Sequence, residues 1–101
     1  MPGQRTVLMK DIYSLLAEDP GVTPLAHVED VLTAGYAQAL ALEAQQLRLE
    51  RHLRRLACDP RADRVEAVEL TERLGAVESE LSHLRTMLLT LRDRARELRA
   101  A

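Results

Sequence analysis

At 101 residues the chain has room for one domain, or for less than one if a partner completes its core. Leu, Ala, Glu and Arg dominate, the aromatics are limited to Tyr13 and Tyr36, and the formal charge of −2 gives no electrostatic footprint for DNA or an anionic membrane. This composition suits long helices and argues against direct DNA binding, and without an apolar run of spanning length it argues against a membrane span.

The start, MPGQRTVLMK, lacks the apolar core and small-residue cleavage site of a signal peptide. Cys58 has no second cysteine to pair with, so a reducing cytoplasm is the expected setting and Cys58 reads as a bystander at a helix end. Residues 1–22 form an N-terminal segment with a short helix over about 7–18, whose face carries Leu8, Ile12, Leu15 and Leu16. Such a short helix must dock to persist. Asp19-Pro20-Gly21 ends it, since proline disfavours the α conformation in the residue before it and donates no backbone bond.

Residues 23–101 read as an antiparallel helical hairpin with helices over about 24–57 and 60–99. Thr23 is the expected N-cap of the first, with Pro24 at its first helical position, and Asp59-Pro60 offers the same chemistry to the second. Ala67, Leu70, Leu74, Val77, Leu81, Leu84, Leu88, Leu91, Ala95 and Leu98 alternate steps of three and four, the spacing of a coiled-coil seam. Leu25, Val28, Leu32, Gly35, Ala39, Leu42, Gln46, Leu49, Leu53 and Leu56 follow the same alternation. Two long helices joined by a short turn run antiparallel, which sets Leu53 near Ala67 and Leu70, Leu42 near Val77 and Leu81, and Leu32 near Leu88. The expected fold class is all-α.

One seam between two helices buries little. Tyr36, Leu40, Ala44 and Leu47 make a further apolar edge, to be covered either by a second chain in a four-helix bundle or by the first helix. Ala34, Gly35, Ala37, Ala39 and Ala41 leave room for close approach there, or simply reflect the helix propensity of alanine.

Glu78, Ser82, Arg85 and Asp93 stand at spacings of four, three and eight. At about 100° per residue they share an arc of roughly 80°, centred roughly 110° from the leucine seam. Charged flanks are ordinary in a coiled coil and make weak surface pairs. Two details point beyond solvation. Thr71, Gly75, Ser79, Ser82, Thr86 and Thr90 gather around the stripe, where a solvated face would carry Glu, Lys or Arg, and Leu89 stands at its centre.

The spacing resembles that of the RsiG family of actinobacterial anti-sigma factors, antiparallel coiled-coil hairpins that bind cyclic di-GMP through Glu, three residues, Ser, two residues, Arg, three residues, Gln, three residues, Asp. Glu78, Ser82, Arg85 and Asp93 occupy four of the five positions in register, and Leu89 stands at the glutamine, where it can pack against a base but not hydrogen-bond it. The resemblance implies a cytoplasmic transcription regulator that binds cyclic di-GMP and sequesters a sigma factor of the WhiG/flagellar type. A carboxylate such as Glu78 or Asp93 suits the N–H donors of guanine. Arg85 could fork onto O6 and N7, stack on a base or hold a phosphate. Arg92 and Arg96 add positive charge or serve the helix dipole, and His83 reads as a surface residue.

The pattern does not recur in the second helix, where Arg48, Arg51, Arg54 and Arg55 lack the upstream Glu and Ser. One chain then carries one half-site, and a two-fold homodimer supplies the other. A structural or adaptor coiled coil without a small-molecule ligand is the rival reading. A secreted hairpin of the Trp-X-Gly type fits less well, since the turn reads Cys58-Asp59-Pro60 and the chain has no tryptophan. The sequence holds no Gly-rich phosphate loop, no nucleophile with a base at readable spacing and no metal cluster, so neither enzymatic activity nor a cofactor is expected.

Overall fold

A computed structural model describes residues 4–18 and 24–100, with side chains from Leu8 onward in the first segment. Three helices follow one another, α1 (Gln4–Ala17), α2 (Leu25–Ala57) and α3 (Arg64–Ala100). The hairpin of α2 and α3 is the body of the molecule, whose overall extents are 61 × 25 × 15 Å.

Every seam position read from the sequence is buried or half-buried, and Leu81, Leu88 and Leu91 are at most 2 % exposed. Side chains at alternating steps of three and four recur on one face, so each helix offers a continuous apolar strip. The helices approach closely at Gly35, where an added Cβ would lie 2.3 Å from Cδ2 of Leu88. Glycine is used here for its missing side chain, which lets α3 press Leu88 onto the α2 backbone.

α1 packs lengthwise on one face of the hairpin, parallel to α3 and antiparallel to α2. Its start, Leu8 to Lys10, lies by Glu80 and Gln38, Tyr13 lies by His83, and its end meets Arg94. Ile12 and Leu15 are buried to 0 % and 1 % exposure, each worth about 1.5–3 kcal/mol when removed from water. The contiguous core spans Val28 to Leu42 on α2 and Val77 to Ala95 on α3. Toward the turn it stops at the level where α1 begins, and beyond that Leu53, Leu56, Ala67 and Leu74 are only half-buried.

The limits of all three helices differ from expectation. α1 starts at Gln4 rather than 7 and ends at Ala17 rather than 18. Thr23 lies outside the described residues, and Pro24 is extended at φ −64° and ψ 136°, so α2 begins at Leu25 with the Pro24 carbonyl accepting from His27 and Val28. α3 begins at Arg64 rather than 60. Asp59 makes a turn instead of a cap, its Oδ1 accepting from the Arg61 amide at 2.9 Å. The cap is Asp63, whose Oδ1 accepts from Val65 N–H at 2.9 Å, and Glu66 three residues on completes the sequence pattern of a capping box.

Candidate functional site

α3 carries Glu78, Ser82, Arg85, Leu89 and Asp93 on its flank, and all five are exposed. Their placement follows from the seam: once Val77, Leu81, Leu84, Leu88 and Leu91 face α2, the intervening positions turn outward together. Arg85 and Leu89 line a groove of about 490 Å³ between α3 and α2. Its other walls are Tyr36, Ala39, Leu40 and Glu43 from α2 and Leu88 and Arg92 from α3. Glu78, Ser82 and Asp93 are not among the groove's walls and flank it along α3.

Arg85 is held across the groove by Glu43, with Nη2 donating to Oε1 at 2.5 Å. Both side chains are more than two-fifths exposed, so the pair is screened and holds the guanidinium weakly. Glu43 escaped the sequence reading. It continues the apolar edge of Tyr36 and Leu40, at seven and three residues beyond them, and this spacing was the available signal.

Three threonines and one glycine among the small residues around the stripe differ in what their smallness serves. The hydroxyls of Thr71, Thr86 and Thr90 donate to the carbonyls of Ala67, Ser82 and Thr86 four residues back, satisfied within the helix. Gly75 meets nothing within 4 Å of where a Cβ would stand, so its smallness answers to no packing among the described residues.

The apolar edge stays open. Tyr36, Leu40 and Leu47 are 45 %, 66 % and 49 % exposed, and Leu89 beside them is 52 % exposed. Of the two covers weighed from sequence, α1 is not the one, because its α3 contacts, Glu80, His83 and Arg94, lie about half a turn around α3 from Arg85 and Leu89. On that other side the Tyr13 hydroxyl and His83 Nε2 share a hydrogen bond of 2.6 Å, which gives His83 a packing role. A cleft of about 370 Å³ there is lined mainly by apolar side chains, Leu8, Met9, Leu42 and Leu84 among them.

Among the described residues no group of three His, Cys, Asp or Glu side chains could hold a metal ion, and no helix is long and apolar enough to cross a membrane. Cys58 is exposed at the C-terminal end of α2. No protein-family model, no curated protein and no solved structure matches the chain.

Proposed function

We propose that the chain is a cyclic di-GMP-responsive anti-sigma factor, resembling RsiG, that sequesters a sigma factor of the WhiG/flagellar type from a homodimeric four-helix bundle. The observation carrying this reading is the coincidence, on one open face, of the Glu78, Ser82, Arg85, Asp93 register with the uncovered apolar edge of α2. A two-fold partner laid on Tyr36, Leu40 and Leu47 brings a second stripe opposite the first and encloses Leu89. A guanine dinucleotide between the stripes meets carboxylates for its N–H edge, guanidinium groups for its phosphates, and leucine for its ring faces. Sigma-factor capture rests on the resemblance alone.

Titration calorimetry of the purified chain with cyclic di-GMP, alone and with the cognate sigma factor, tests the ligand. Binding is expected, with Arg85→Ala and Asp93→Ala each abolishing it, and no heat in either setting removes the mechanism. The rival adaptor reading draws its support from the weakness of exposed coiled-coil charges. It predicts that substitutions in the stripe leave partner binding unchanged.

A further inference from the structure

The face that receives α1 is only partly used. α1 has 14 residues and α2 has 33, so about 21 Å of helix lies along roughly 50 Å. Past the start of α1, toward the turn, the same face opens into a groove of about 770 Å³ with Leu49 and Leu70 among its walls. Its α2 rim carries Arg48, Arg51 and Arg55, all exposed. Its α3 side is mixed, with Arg73 beside Glu66 and Glu69, and Glu66 already engages His52 at 3.3 Å.

The three α2 arginines are poorly served by their own chain. None of them makes an ion pair among the described residues. Four residues before Arg48 and Arg51 stand the uncharged Ala44 and Leu47, and Arg55 has the like-charged Arg51 there, so no neighbour at that offset pairs with them. Only Arg54 has a glutamate, Glu50, at that offset. A helix dipole accounts for Arg54 and Arg55 in the last turn, but its effect fades before Arg48 and Arg51.

We infer that this groove docks an amphipathic helix of another protein, in line with α1, with an acidic edge toward the α2 rim. Such a helix extends the three-helix arrangement over the half-covered end of the hairpin, placing apolar side chains on Leu49 and Leu70 and carboxylates against Arg48, Arg51 and Arg55. A nucleic-acid backbone fits less well, since Glu66 and Glu69 repel phosphate on the opposite wall. The inference is independent of the nucleotide reading, because the Arg85 groove lies on the other face.

The test uses two fluorescein-labelled amphipathic peptides with the same leucine pattern, one with a glutamate edge and one with a lysine edge, titrated against the full chain by anisotropy at low and moderate salt. The glutamate peptide is expected to bind at least tenfold tighter, with the advantage shrinking as salt rises. Replacing the trio, Arg48→Gln with Arg51→Gln and Arg55→Gln, should erase the preference and the Glu substitutions should invert it, with helicity and the cyclic di-GMP titration unchanged. Equal binding, no binding by either peptide, a preference that survives the substitutions, a single-stranded oligonucleotide binding more tightly than the glutamate peptide, or a charge-dependent change in the chain's own oligomeric state would each overturn the inference.

Discussion

Two glycines show how differently one residue type can serve this hairpin. A methyl at Gly35 collides with the buried end of Leu88, so Gly35→Ala is expected to lose on the order of 1 kcal/mol, overpacking outweighing the gain in helix propensity. Denaturant melts of Gly35→Ala, Leu88→Ala and the double variant should be non-additive, because truncating Leu88 removes the collision. Gly75 faces open space, and Gly75→Ala should stabilise the isolated chain by about 0.5–1 kcal/mol. At Glu43, removing a carboxylate beside Arg85 frees the guanidinium for an anionic ligand. Glu43→Gln is therefore expected to tighten cyclic di-GMP binding about two- to fivefold, the scale of an exposed ion pair, and calorimetry would show a weaker complex if Glu43 instead positions Arg85 for the ligand.

At the scale of elements, α1 is attached by more than apolar contact. The guanidinium of Arg94 donates to the carbonyls of Leu15, Leu16 and Glu18, closing the C-terminal end of a helix that has no basic residue in its own last turn. Arg94→Met keeps the aliphatic stem and removes these bonds, and should loosen α1 by about 1–2 kcal/mol. Hydrogen exchange reads this as faster exchange confined to α1, whereas uniform acceleration over all three helices would show that α1 is no separate unit. The elements were legible in the sequence because their apolar spacing is unbroken: Leu8, Ile12, Leu15 and Leu16, and both seams, meet their expected burial. The start of α3 was not, because Asp59-Pro60 and Asp63 with Glu66 are competing caps four residues apart, and only the folded turn shows which amides each aspartate reaches. Nor was the docking face of α1 legible, since a seam defines two flanks and says little about which one a third helix takes. The Arg85 to Glu43 pair depends on hairpin register to within one residue, finer than a repeat of three and four can specify.

At the scale of the whole molecule, one face is clothed by α1 and the other is bare. Tyr36, Leu40, Leu47 and Leu89 are exposed together beside the Arg85 groove, and dimerisation through them is the central expectation of the proposed function. Tyr36→Glu with Leu40→Glu should leave helicity intact and halve the mass measured by light scattering, with and without cyclic di-GMP. A wild-type chain that stays monomeric in both conditions would refute the shared site while leaving the hairpin fold untouched.

The reach of Arg94 from the last helix to the end of the first makes the order of α1 depend on a residue near the far end of the sequence. A peptide of residues 1–18 alone has neither its capping guanidinium nor the surface that buries Ile12 and Leu15, and is too short to hold a helix in water. Truncation after Asp93 would therefore register at the opposite terminus, as protease sensitivity near Leu15 rather than only as fraying of α3.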